Sequence, residues 1–169
     1  MPHARAAFGM VEVGGKIYAI GGSLSIGKAI SGLSYNEEYD PRTDTWATKA
    51  DMPTARAYFA TAAYKDLIYC IGGVTGTKSY IESALNGLVG QVEVFTNAFE
   101  VYNTTSNTWE TTKTAPVGIA HCQTHVIGDL IIIVQVGKTI IYNISDGTWA
   151  LKSRIPISYA QNGLVSALY

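Results

Sequence analysis

Short apolar runs recur along the chain, separated by clusters of glycine, Asp-Pro and Asn-Thr. Leu67-Ile68-Tyr69-Cys70-Ile71 and Leu130-Ile131-Ile132-Ile133-Val134 are the clearest of them. No window sustains the period of a helix, so these segments read as strands bounded by turns. Four strands fit each unit. Strand a follows a proline, as in Tyr58–Tyr64, and strand b ends in a Gly-Gly pair such as Gly72-Gly73. Strand c ends at a tyrosine and strand d carries a tryptophan. The c–d connections are Asp40–Asp44, Asn103–Asn107 and Asn143–Gly147. Their Asx side chains bond back to the backbone, and Pro41 presets φ. The b strands do not alternate apolar with polar residues, so both faces of each sheet need cover. Four-stranded sheets stacked radially about an axis give that cover.

The units repeat in sequence. Met1-Pro2-His3-Ala4-Arg5 matches Met52-Pro53-Thr54-Ala55-Arg56, and Ile17–Gly22 matches Ile68–Gly73 at the same offset of 51 residues. A Tyr-x6-Trp-x6-Pro spacing occurs three times, at Tyr39-Trp46-Pro53, Tyr102-Trp109-Pro116 and Tyr142-Trp149-Pro156. The third copy is degenerate: Gln135-Val136 replaces Gly-Gly, and Ile119 stands where Arg5 and Arg56 stand. The large rings Trp46, Trp109, Tyr18 and Tyr69 are expected between neighbouring sheets.

The Arg before strand a, the Ile-Tyr-x-Ile-Gly-Gly run, Tyr39–Trp46 and Met-Pro-x-x-Arg together resemble the kelch repeat family. The resemblance implies an all-β, kelch-type β-propeller, in a ring of about six or seven blades. It implies a single partial propeller domain over 1–169: blade 1 about 2–51, blade 2 about 52–114, blade 3 about 115–155, and the first strand of a fourth at about 156–169. Such an incomplete ring is expected to be closed by further blades of a longer chain or by self-association. The resemblance implies a binding platform, with sugar-converting proteins of the sialic-acid mutarotase or galactose-oxidase-like kind as the minority alternative.

Composition narrows the chemistry. The net charge is −1, with 12 basic and 13 acidic residues, which offers no basic field for nucleic acid. The longest aliphatic run, Leu130–Val134, is far short of a membrane span. Met1 is followed by Pro-His-Ala-Arg rather than the apolar core of a secretory leader. Cys70 and Cys122 fit no metal or disulfide pattern. His121 and His125 flank Cys122 on strand a, but Cys122 faces away from both, so no metal or other cofactor is expected. No catalytic cluster is legible, and the sequence does not state a compartment.

Candidate binding residues follow from strand parity. The b–c loops and the d–a connections lie at one end of each blade. The b–c segments vary most: Gly22 to Tyr39 spans 17 positions, Gly73 to Tyr102 spans 29, and Val136 to Tyr142 only 6. Variable loops on a rigid scaffold are where binding residues gather. Arg5 and Arg56 share that end, as fork donors for a carboxylate or as partners of their own loops. The first loop, Ser23–Tyr35, reads as flexible. The second, Val74–Ala98, carries Lys78, Tyr80 and Glu82, and its Asn86-Gly87 pair predicts a hairpin standing on the face. With His121, these residues form the candidate site for a protein partner or a carbohydrate.

Overall fold

The structure is a computed structural model and describes residues 1–26, 29–82 and 88–152. Every regular element among them is a β-strand. The strand expected near the C-terminus, at 156–169, and the Asn86-Gly87 turn lie outside the described residues.

Three antiparallel meanders follow the repeat. The first holds β1 (Gly9–Val13), β2 (Lys16–Ile20), β5 (Asn36–Asp40) and β6 (Thr45–Thr48). The second holds β7 (Ala60–Tyr64), β8 (Leu67–Ile71), β11 (Phe99–Asn103) and β12 (Thr108–Thr111). The third holds β13 (Gln123–Ile127), β14 (Leu130–Gln135), β15 (Lys138–Asn143) and β16 (Thr148–Lys152). The c–d turns form as the Asx residues dictate. Asp40 Oδ1 accepts from the Arg42 amide at 2.9 Å, Asn103 Oδ1 from Thr105 at 2.9 Å, and Asn143 Oδ1 from Ser145 at 3.0 Å. Each satisfies a backbone donor that the tight turn leaves unpaired.

The doubly apolar b strands are explained by two cores. Ile68 and Cys70 of β8 face a cluster shared with Val13, Tyr18 and Ile20 of the first blade and with Met52 and Phe59, which lead into β7 of their own blade. Tyr69 and Ile71 face the other way, into a cluster with Ile119, Ile131, Ile133 and Ile140 of the third. Alternate residues of one strand therefore feed two inter-blade interfaces. Fully burying one such isoleucine contributes about 1.5–3 kcal/mol. Tyr18 and Tyr69 are buried as expected, but the tryptophans are only half-buried. Trp109 keeps its indole edge at the rim, where Nε1 donates to the Ala50 carbonyl across the interface at 2.7 Å. Trp46 tilts against Tyr39 of its own blade.

The a strands are innermost. β1 packs against β7, and β7 against β13. Just before each a strand sits a residue of positive φ: Ala7 at 55°, Tyr58 at 57° and His121 at 51°. The Tyr58 amide donates to the Ala7 carbonyl at 3.0 Å, and the His121 amide to the Tyr58 carbonyl at 2.9 Å. One backbone bond thus links each blade to the next at the axis.

A fourth sheet was not foreseen. The first b–c connection, expected to be flexible, forms β3 (Ser23–Ile26) and β4 (Ala29–Gly32). The second forms β9 (Val74–Glu82) and β10 (Leu88–Phe95). These hairpins join through Ser31 and Gly76 into one sheet of order β10-β9-β4-β3, built from connectors of two adjacent blades. A loop gains such order by pairing with its neighbour, a long-range contact that its own Ser/Gly composition does not display.

Candidate functional site

At the b–c end, the two repeat arginines turn inward. The Arg5 side chain is fully buried; it donates from Nε to the Gly21 carbonyl at 2.7 Å and from Nη2 to Ala19 at 2.8 Å. Its Nη1 reaches Glu37 Oε2 at 2.6 Å. Arg56, also fully buried, donates from Nη2 to the Cys70 carbonyl at 3.0 Å and sets Nη1 3.0 Å from Glu100 Oε2. Phe59 lies under its guanidinium, 5.5 Å from ring centroid to carbon. Among the described residues Arg56 Nε has no hydrogen-bond partner. Both forks therefore grip their own blades, tying the end of strand b to the start of strand c.

Glu37 and Glu100 are the partners that the sequence reading missed. Each stands two residues before the repeat tyrosine, at Tyr39 and Tyr102. The equivalent in the third repeat is Ile140, in the same copy that replaces the arginine with Ile119. A third position follows suit. His3 Nδ1 meets Glu37 at 2.6 Å, and Thr54 Oγ1 donates to Glu100 at 2.5 Å. Their counterpart is Val117, which packs against the second inter-blade core. All three members turn apolar together. That joint change was the available signal. Burial alone would raise the Glu37 carboxyl, but the Arg5 and His3 hydrogen bonds outweigh it and hold the group below its ordinary value.

The Gly-Gly pairs make the neighbouring contact. Gly72 has φ 70°, and a Cβ there would fall 2.2 Å from the Ile119 carbonyl. Gly73 donates its amide to that carbonyl at 2.6 Å, as Gly22 does to Arg56 at 2.9 Å. Only glycine combines that backbone angle with so close an approach.

Away from this lock the face is open. Leu24, Tyr80, Val92 and Phe95 of the connector sheet are exposed, with Val136 beside them at the end of the third blade. Lys78 is also exposed, and it shares one face of β9 with Tyr80 by two-residue alternation. Glu82 closes β9, opposite Leu88. His121 stacks on Tyr58 at 4.3 Å between centroids, and its Nε2 lies 2.8 Å from Glu93 Oε2 of β10. A cavity of about 390 Å³ opens beside this pair, lined by Phe95, Gly118, Ala120, His121, Gln135 and Val136. The structure thus brings His121 to the root of the second hairpin and sets Lys78 and Tyr80 on its far face. No group of metal-ligating side chains forms among the described residues. Nor is any described helix long and apolar enough to cross a membrane.

Comparison with known proteins fits this geometry. A family model described as "Kelch motif" matches residues 4–53 and 55–114. The Kelch-like protein terF of Aspergillus terreus is 26% identical over 179 residues, covering 99% of this chain and 37% of that protein. The Influenza virus NS1A-binding protein homolog of Mus musculus is 36% identical over 84 residues, covering 45% of this chain and 11% of that one. The chain thus spans well under half the length of these relatives. The solved structure titled "Structure of YjhT" superimposes with a TM-score of 0.70 at 13% identity, covering 92% of this chain and 53% of that one.

Proposed function

This chain belongs to the kelch repeat family, and from that premise we propose that it is a protein-binding platform whose working face is the connector sheet at the b–c end. The observation that carries the reading is the sheet β10-β9-β4-β3, which lifts Leu24, Tyr80, Val92 and Phe95 into solvent on an ordered support. Exposed aromatic and aliphatic side chains on a rigid base suit a protein interface. The name of the NS1A-binding relative, which states protein binding for that protein, supports the same class of function. The carbohydrate alternative draws on free arginines at the channel mouth, whereas Arg5 and Arg56 are buried against Glu37 and Glu100.

A photo-crosslinking amino acid at Tyr80 or Val92, compared with one at Arg42 in the opposite c–d turn, tests the reading. Crosslinks to a discrete protein set from the first two positions and not from Arg42 are expected. Equal yields from both ends would refute the assignment of the face.

A further inference from the structure

The connector sheet runs from the first blade over the second and stops at the third. The reason lies within the chain. Where the first two repeats send out hairpins, the third turns directly from β14 to β15 through Val136 and Gly137. β10 is therefore an edge strand, eight residues long, paired on one side with β9. Among the described residues, no backbone bond joins β10 to any element but β9. A strand this long with a free edge is a template for another strand.

Beside that edge lies the cavity of about 390 Å³. Phe95 and Val136 border it, and they are 54% and 64% exposed. Its polar side chains are His121 and Gln135, and behind His121 stands Glu93, whose Oε2 meets the imidazole at 2.8 Å while Oε1 has no partner among the described residues. Glu93 and Phe95 are two positions apart on β10, the repeat of one strand face.

We propose that the notch over the third blade accepts an extended segment of a partner protein, which adds to β10 as an antiparallel fifth strand of the connector sheet. The proposal rests on the platform reading and specifies how that face engages its partner. Antiparallel addition continues the pairing already present in β9–β10 and β4–β9. The chemistry of the notch selects the segment. An apolar side chain opposite Phe95 enters the cavity between Phe95 and Val136. A lysine or arginine two residues further along falls opposite Glu93, where a positive charge complements the carboxylate. The partner motif is therefore apolar-x-basic in a β-branched context. Beside β4 the corresponding edge is taken by the chain's own β9.

The probe is an acetylated, amidated peptide of β10's length that alternates threonine with valine, leucine and lysine and places leucine two residues before lysine. Binding is measured by isothermal titration, and β10 amide exchange by NMR. The peptide is expected to bind and to slow exchange of the outward amides of residues 88–95 at least tenfold. N-methylation of its alternate amides, which removes backbone donors and leaves the side chains, is expected to weaken binding about tenfold or more, as is the exposed substitution Val136→Asp. Exchanging lysine for glutamate in the peptide is expected to have a similar effect. No binding, binding without β10 protection, or equal affinity of the N-methylated peptide would each overturn strand addition. If the Val136→Asp protein keeps the crosslinked partners of the intact protein, strand addition falls and the platform stands. Loss of face-specific crosslinking in the unmodified protein would instead sink the platform itself.

Discussion

Replacing Thr54, Arg56 and Glu100 together by valine, isoleucine and isoleucine writes the third repeat's chemistry into the second. Arg56 and Glu100 are at most 1% exposed, so neither charge is screened by solvent. Removing one of them strands the other. Glu100→Ile leaves a buried guanidinium facing the Cys70 carbonyl alone, and Arg56→Ile leaves a buried carboxylate held by Thr54. Each single change is expected to cost about 3–5 kcal/mol. The triple change removes both charges at once. It forfeits the bond to the Cys70 carbonyl, about 1–3 kcal/mol, and recovers the desolvation cost of two ions, about 1–4 kcal/mol for pairs replaced by apolar groups of similar volume. The triple protein should therefore lie within about 2 kcal/mol of the parent, far above either single. Urea unfolding followed by far-ultraviolet circular dichroism measures all four proteins. A triple variant as unstable as the sum of its singles would refute the claim that Val117, Ile119 and Ile140 are an equivalent apolar version of the same lock.

Four further outcomes follow from the geometry. Gly72→Ala should cost about 2 kcal/mol or more, because φ is 70° and the new methyl meets the Ile119 carbonyl, whereas Gly14→Ala, with nothing within 4 Å, should cost only the backbone strain of about 1 kcal/mol; thermal melts compare them. Trp109→Phe should cost about 0.5–1.5 kcal/mol by removing the indole bond to the Ala50 carbonyl, which keeps its bond from Asn36 Nδ2 at 3.2 Å, and a variant of unchanged melting temperature would remove the indole bond from the account. Glu37 and Glu38 are both held below their ordinary 4.5: burial opposes this, and donors from Arg5 and His3, and from Lys16, Tyr18 and Lys49, overcome it. Their stabilisation is complete above that value and is lost as pH falls through the lower folded values, so the melting temperature should fall with acid below about pH 4.5, and less steeply in Glu37→Gln. The Cys70 thiol is pushed up to about 12 by burial and Cys122 to about 11, so both should resist thiol reagents at neutral pH until denaturant is added; prompt labelling of native Cys70 would contradict its place in the core.

The blades were legible because their signals are local and repeated. Tyr-x6-Trp-x6-Pro fixes strands c and d, and the two-sided apolar run of β8 already implied a neighbour on each face. The connector sheet was not legible, since β4 and β9 pair through Ser31 and Gly76, neither of which carries a strand signal of its own. The arginines were found, with an outside carboxylate and their own loops both open as partners. Their direction depends on Glu37 and Glu100, separated from them by 32 and 44 residues, and only alignment of the repeats reveals that acid and base vanish together in the third. His121 lies against Tyr58 and meets Glu93. Its companion Glu93 arrives on the hairpin that Asn86-Gly87 predicts, but a turn signal does not say which neighbouring blade the hairpin meets.

The bonds from Tyr58 to Ala7 and from His121 to Tyr58 have a consequence for how such a chain can change over time. They run from amide to carbonyl, so they are indifferent to which side chain stands at each site, and alanine, tyrosine and histidine all serve. The angle between successive blades is thereby keyed by main-chain atoms at the hub, while the wedge between them is filled by side chains further out. A repeat can lose its arginine, its acid, its paired glycines and its long connector, as the third has, and still be set at the angle of its neighbours. Diversity is then free to accumulate at the rim, one blade at a time, while the curvature of the ring stays constant.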